Sequence, residues 1–211
     1  MLKKERHAFI MRQVDLHNKV LSSNLSSEIK VSEDTIRRDL KELSDEGRII
    51  KVHGGALSRS FNYFYDQGNY IYSQSNKKII AEKTAMLIKD GMTVMTSGGT
   101  TIQEIARALP PSLKATFITG SIPAVLEYIQ HPGIEIILIG DKVSKSAKIT
   151  VGGEAISRIR QIGADLCILG INAIDEHHGV TDNDWDVVQI KKAMIESARK
   201  VICVSISEKI N

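Results

Sequence analysis

Val31-Ser32-Glu33-Asp34-Thr35-Ile36-Arg37-Arg38-Asp39-Leu40-Lys41-Glu42-Leu43 is the stretch whose reading decides the fold of this chain. It reads as one short helix with a marked start. Ser32 is a good N-cap, because its hydroxyl can accept from a free backbone N–H of the first turn. Glu33 and Asp34 follow, where negative charge suits the positive end of the helix dipole. Ile36, Leu40 and Leu43 recur at spacings of four and three and share one face. Thr35, Arg37, Arg38 and Lys41 are left on the other faces as donors suited to phosphate oxygens and guanine edges. On this stretch alone, an ordinary amphipathic surface helix would look the same.

The flanks narrow the choice. Arg6, Phe9, Ile10, Val14 and Leu16 outline a first helix. Val20, Leu21, Leu25 and Ile29 predict a second, with Ser22 to Ser27 supplying caps and turns. Gly47 closes the Arg37 helix as a left-handed residue would. Arg48 to His53 then alternates like a short strand, ended by Gly54-Gly55. Three helices followed by a small basic hairpin make a winged helix-turn-helix, in which the second helix of the pair enters the major groove.

Composition agrees. A chain of 211 residues can bury one or two cores. Residues 1–59 hold 12 basic and 9 acidic side chains, and residues 60–211 hold 16 of each. The net charge of +3 therefore sits wholly in the N-terminal segment, as one DNA-contacting and one neutral module would have it. Cys167 and Cys203 lie in apolar runs with no ligand spacing around them. They read as buried core thiols in a reducing compartment, and no metal site is expected. The N-terminus has no signal-peptide pattern, and no apolar run approaches the ~20 residues that span a bilayer. The expected location is the cytoplasm, with no membrane partner.

Residues 58–76 read as a linker between a DNA-binding domain over 1–57 and a second domain over 77–211. Six of the nine Phe and Tyr residues fall there: Phe61, Tyr63, Phe64, Tyr65, Tyr70 and Tyr72. A free linker should be polar. This one is expected to pack between domains or between subunits, with base stacking as the alternative.

From Lys77 on, helical and strand-like runs alternate. The strands at 92–96, 115–119, 134–139, 165–169 and 201–205 are nearly continuous in apolar residues, which predicts a parallel sheet covered on both faces. Ligands of such sheets bind at the carboxyl ends of the strands. Ser97-Gly98-Gly99-Thr100-Thr101 follows the first strand. Its glycines let backbone N–H groups approach an anion, its hydroxyls add donors, and the next helix points its N-terminus at the same spot. It lacks the Gly-Lys-Ser/Thr of a nucleoside-triphosphate loop. A simple tight turn with a Thr cap is the plainer alternative. Gly120-Ser121 is a second candidate at the same edge, and Lys77 and Lys191 are candidate charge partners.

Taken together, these segments resemble the DeoR family of bacterial transcriptional regulators. Arg6, Ile10 and Val14, then Ser32 to Leu40, then Ile50-Lys51-Val52-His53-Gly54-Gly55-Ala56 are similar to its N-terminal signature and wing. Lys77, Gly99-Thr100-Thr101, Thr119 to Ser121, Ala164-Asp165, Leu169-Gly170, Gly179-Val180-Thr181 and Lys191 are similar to its sensor domain, which is similar in fold to ribose-5-phosphate isomerase. The fold implied is α/β: an N-terminal winged helix-turn-helix followed by a Rossmann-like parallel-sheet sensor. The resemblance implies that Ser32, Thr35, Arg37, Arg38 and Lys41 face DNA, with Lys51 and His53 helping from the wing. Asp39 is expected to orient arginines or the turn. An effector pocket is implied from Lys77, Gly99, Thr100, Thr101, Ser121, Asp165, Gly170, Thr181 and Lys191. The implied function is a repressor of carbohydrate-metabolism genes. It would act as a dimer or tetramer on a double-stranded operator, under control of a phosphorylated sugar, with no cofactor and no catalytic residue.

The chain departs from the family pattern. Ser97 stands where the family usually has Asp, Gly120 where it has Asn, Asp141 where it has Gly, and Val187 where it has Glu. The first two remove partners for sugar hydroxyls and leave the phosphate cradle. Family members usually continue by a strand and helix beyond Ser207-Glu208-Lys209, so the expectation is a truncated chain or a sheet completed by something else. Two other functions stay open. One is a regulator whose second domain only oligomerises. The other is an isomerase-like enzyme, which would need a positioned carboxylate base. The isomerases place Glu before the lysine matching Lys191, and Ile190 stands there instead. Asp182, Asp184 and Asp186 are the nearby carboxylates.

Overall fold

The computed structural model of the protein describes residues 1–17, 19–58, 72–182 and 184–210. Five of the six linker aromatics (Phe61, Tyr63, Phe64, Tyr65 and Tyr70) lie outside them. The chain divides into two compact units, Met1–Tyr72 and Ser73–Asn211.

The first unit runs α1 (Lys3–His17), β1 (Lys19–Leu21), α2 (Ser22–Ile29), α3 (Glu33–Asp45), β2 (Ile49–Val52) and β3 (Gly55–Ser58). Helix α3 starts at Ser32, whose hydroxyl accepts from the Thr35 N–H at 3.3 Å. It ends in a Schellman motif. The Arg48 N–H reaches the Leu43 carbonyl and the Gly47 N–H the Ser44 carbonyl, each at 2.9 Å, with Gly47 at φ 70°. Its Ile36, Leu40 and Leu43 enter a core with Ile10, Val14, Val20, Leu25, Ile49 and Ala56. Burial of that stripe, more than helix propensity, fixes the helix in place.

The second helix is shorter than the pattern predicts. Val20 and Leu21 belong to β1, which pairs antiparallel with β3 to give a three-stranded sheet in the order β1-β3-β2. Ser22 to Ser27 lie inside α2. The third strand explains Gly55: a Cβ there would collide with the Val20 carbonyl oxygen across the sheet.

The second unit holds a five-stranded parallel sheet in the order β12-β9-β4-β5-β6. These strands are β4 (Thr93–Thr96), β5 (Ala115–Thr119), β6 (Ile134–Leu138), β9 (Leu166–Gly170) and β12 (Val201–Val204). Helices α4 (Gln74–Ala85), α5 (Thr100–Ala108) and α6 (Ile122–Tyr128) precede or join β4, β5 and β6. Helices α7 (Gly153–Arg160) and α8 (Trp185–Glu196) lead into β9 and β12. Two buried clusters follow. One is built on Ile102, Ile105, Phe117 and Tyr128, the other on Met95, Ile118, Leu169, Ile190 and Met194. Strand order runs outward in both directions from the β4–β9 pair. From β4 the chain continues to β5 on one side and from β9 to β12 on the other, and such a switch point is where sheets of this kind open a crevice.

Two hairpins were not visible in the sequence: β7 (Lys142–Ser144) with β8 (Ile149–Val151), and β10 (Ala173–Asp175) with β11 (Gly179–Thr181). Cys167 is buried, but Cys203 is exposed on the edge strand β12, so only one of the two thiols is in the core.

Candidate functional site

On the first unit the solvent face of α3 carries Arg37, Arg38 and Lys41, all exposed. Arg37 Nη2 lies 3.0 Å from Glu33 and Arg38 Nη2 lies 2.8 Å from Asp34, each one turn back along the helix. Ser32 is exposed, but Thr35 is half-buried and its hydroxyl lies 2.9 Å from that of Ser32. Both hydroxyls are therefore engaged in the helix start, and Thr35 presents little to a groove. Lys51 and His53 are exposed on and beside β2. Lys19 on β1 is a further exposed cation of the same small sheet, missed because β1 was read as helix. Asp39 is buried against Arg6 and His7 of α1 and faces no solvent.

On the second unit the loop after β4 packs against the loop after β9. Ser97 is buried, and its hydroxyl accepts from the Gly170 N–H at 2.9 Å. A Cβ on Gly170 would lie 2.7 Å from the Gly98 carbonyl oxygen, so the two loops touch backbone to backbone. Gly99 has φ 116°, a conformation open to glycine, and Thr100 and Thr101 begin α5 beside it. Gly98, Gly99, Thr100 and Thr101 thus form the N-terminal mouth of α5, with Ser97 tying it to Gly170.

Gly120 and Ser121 sit against the same mouth. Ser121 is buried and caps α6, its hydroxyl 3.4 Å from the Ala124 N–H. A Cβ on Gly120 would collide with the Thr150 hydroxyl, which is fixed by donating to the Ile139 carbonyl at 2.6 Å. A Cβ on Gly98 would lie 2.7 Å from the Ile149 side chain. Hairpin β7–β8 therefore fills the space that larger residues at 98 and 120 would need. What remains is a mostly apolar hollow under Ser97, Gly120 and Thr150, walled by Met95, Ile149, Ile190 and Met194. Asp141 does not open this space: its carboxylate accepts from the Glu154 and Ala155 N–H groups at 3.0 and 3.1 Å and caps α7.

Cations gather where β9 ends. The Lys191 ammonium lies 2.6 Å from Asp182, whose other oxygen accepts from the Asn172 amide at 3.0 Å. Lys209, in a 3-10 turn over Ser207–Lys209, donates to the Ile171 carbonyl at 3.0 Å. Its pKa is pushed down to about 8 by burial and by the charges of Lys77 and Lys191, with Asp182 pulling the other way. Lys77 is itself buried in α4. Lys191, Asp182 and Lys209 thus meet at the 170–172 turn beside the α5 mouth, with the charge of Lys77 felt at Lys209. Lys209 was missed because nothing in its local sequence marks it. Thr181 lies on the exposed strand β11, next to Asp182.

Asp165 is a correction. It stands at the start of β9, at the opposite end of the sheet from Gly170. Its carboxylate accepts from the Thr93 N–H at 2.9 Å and lies 3.6 Å from Arg199. It pins the entry of two strands and is not part of the cradle. Val187 and Ile190 point into the apolar core.

A winged helix-turn-helix followed in the chain by a parallel-sheet unit with a cationic strand-end crevice defines a class: a DNA-binding module carried with an α/β module. Residues 6–61 match the model of the DeoR-like helix-turn-helix domain, and residues 73–211 match that of the DeoR C terminal sensor domain. The chain belongs to the DeoR family of transcriptional regulators. It is 32% identical over 203 residues to the glycerol-3-phosphate regulon repressor of Haemophilus influenzae, covering 95% of this chain and 78% of that one. It is 31% identical over 211 residues to the HTH-type transcriptional repressor GlcR of Bacillus subtilis, covering 97% and 80%. Among solved structures, ribose 5-phosphate isomerase from Plasmodium falciparum is similar at a TM-score of 0.47 and 20% identity, over 65% of this chain and 53% of that one. That likeness is too slight to carry chemistry across.

Proposed function

We propose that this regulator is an operator-binding repressor of carbohydrate-metabolism genes, and that a phosphorylated sugar or related phosphorylated metabolite sets its DNA affinity. The observation that carries the effector half is the meeting of Lys191, Asp182 and Lys209 at the turn after β9, with the charge of Lys77 felt at Lys209. Like charges brought together repel, and an incoming dianion relieves that repulsion. The α5 mouth adds backbone N–H groups and the Thr100 and Thr101 hydroxyls. The names of the two repressors above support the same reading. α3 enters the major groove, Arg37, Arg38, Lys51 and His53 hold phosphates, and Lys41 reaches base edges. A dimer or tetramer in the cytoplasm would space such reading heads on repeated half-sites. The effector acts by preferring one arrangement of the molecule over another.

Catalysis is no part of this reading. Ile190 occupies the base position and is buried in the core, Asp182 is paired with Lys191, and Asp184 caps α8. A second reading, a regulator whose sensor only oligomerises, draws on one observation. The hydroxyls of Ser97, Ser121 and Thr150 are all engaged by the protein itself.

A thermal-shift panel of sugar phosphates, their unphosphorylated parents and free phosphate separates the two. A ligand at ~100 times its dissociation constant adds about 2.7 kcal/mol to stability. The expected result is a shift with one phosphorylated compound and not its parent, lost in Lys191→Met and Lys209→Met. A flat panel would put the oligomerisation reading first.

A further inference from the structure

The reading helix is not a cationic helix. Its solvent face exposes Glu33, Asp34, Glu42 and Asp45 beside Arg37, Arg38 and Lys41. Carboxylates at the leading turn suit the helix dipole, but in a helix that only had to grip phosphates each one also repels the DNA backbone. Glu33 and Asp34 occupy the first two positions of α3, the turn that goes deepest into a major groove. Each is paired with an arginine one turn on, but the pairs are loose. Side-chain exposure is 45% for Glu33 and 61% for Arg37, and 65% for Asp34 and 79% for Arg38. Exposed pairs of this kind hold their partners weakly and open readily when a better partner arrives.

What could be a better partner for Glu33 and Asp34 follows from their chemistry. An ionised carboxylate accepts hydrogen bonds and cannot donate. The donors on the floor of the major groove are the amino groups of cytosine N4 and adenine N6. Guanine O6 and N7 and thymine O4 are acceptors and would meet the carboxylate lone pair to lone pair. The opposite holds for Arg37 and Arg38, which only donate and suit guanine.

We propose that Glu33 and Asp34 are specificity residues of the DNA-reading surface. They accept from base amino groups, cytosine N4 or adenine N6, and reject base pairs turned so that guanine O6 and N7 or thymine O4 meets the carboxylate. On a cognate site the carboxylates turn to the bases and release Arg37 and Arg38 to guanine or phosphate. On other DNA the carboxylates stay unpaired against the groove and weaken binding. The two acids thus trade affinity for discrimination at the leading turn of the helix. This inference rests on the reading of α3 as the helix that enters the groove.

The test is selection from a randomised duplex library by the full chain, comparing the unchanged protein with Glu33→Gln, Glu33→Ala and Asp34→Ala. Far-UV circular dichroism and melting of each variant show that the unit is folded. The unchanged protein is expected to select one orientation of a base pair at one or more positions read by the first turn of α3. Each substitution is expected to make one of those positions degenerate and to raise affinity for unselected duplex by about fivefold or more, the scale of one lost base discrimination. Variants that select the same sequence as the unchanged protein, and bind unselected duplex no better, would overturn the proposal while leaving α3 as the reading helix. An unchanged protein that selects no sequence would overturn the DNA-reading role and this proposal together.

Discussion

The Asp39 carboxylate in α3 accepts from both Nε and Nη2 of Arg6 in α1, with Nη2 at 3.0 Å, and lies 3.1 Å from His7 Nε2. An acid in the middle of the reading helix therefore points inward and bolts that helix to the first one. The bond adds to the apolar stripe in holding the direction in which Arg37, Arg38 and Lys41 leave the surface.

Asp39→Asn should destabilise the first unit by about 3 kcal/mol, because it leaves Arg6 nearly buried without its counter-charge. Denaturant unfolding followed by circular dichroism measures this. The pH dependence has a definite sign. Burial pushes the Asp39 carboxyl up, but the bonds from Arg6 and His7 outweigh it and hold the pKa below the ordinary value. The stabilisation is thus present above about pH 4 and lost as pH falls through the folded pKa. Asp39→Asn should flatten that part of the acid limb, and an unaltered limb would show that the pair contributes nothing.

Lys209 sets a second pH dependence of opposite origin. Its folded pKa of about 8 lies below that of an unfolded lysine. The unfolded chain therefore binds the extra proton between about pH 8 and pH 10.4, and stability should rise across that window by up to about 3 kcal/mol. Lys209→Met should raise the melting temperature near neutral pH and remove that rise. Phosphate binding should weaken from pH 7 to pH 9 in the unchanged protein, as titration calorimetry would record.

Gly120 and Thr150 should behave as a coupled pair. Gly120→Ala drives a Cβ into a hydroxyl that is held by Ile139, at an expected cost of about 1–3 kcal/mol. Thr150→Ala removes the obstructing atom, so the double variant should be more stable than the two single losses predict. Strict additivity in that cycle would mean that the two loops separate without penalty.

Arg38→Ala should weaken binding to all duplexes alike and reduce the salt slope of log K by about 1, as expected for one lost phosphate contact. Fluorescence anisotropy at several salt concentrations would show it. An unchanged slope would move Arg38 off the backbone.

The α3 helix was legible because cap, dipole charge and apolar stripe all agree over one short stretch. The parallel sheet was legible for a similar reason, since each central strand is apolar on both faces. The failures have physical causes. Val20 and Leu21 are two apolar residues beside a helix, too few to show whether their period is 2 or 3.6. Hairpins β7–β8 and β10–β11 have three-residue strands, β8 buried throughout and β11 exposed throughout, and offer no alternation. Asp165 entered the pocket through the family resemblance alone; it opens its strand, whereas ligands of a parallel sheet bind at the carboxyl ends. Lys209 and Thr150 act through contacts with residues 38 and 11 positions away, which no local pattern encodes.

The three lysines of the crevice are also separated in time. Lys77 opens the second unit and Lys209 comes near its end, so ribosomal synthesis at about 5–20 residues per second delivers them on the order of ten seconds apart. The winged unit, whose last strand ends at Ser58 and which closes at Tyr72, lies wholly ahead of Lys77 in the chain. Each newly made molecule therefore passes through a stage in which its reading head is present and the lysines of the second unit are not yet together.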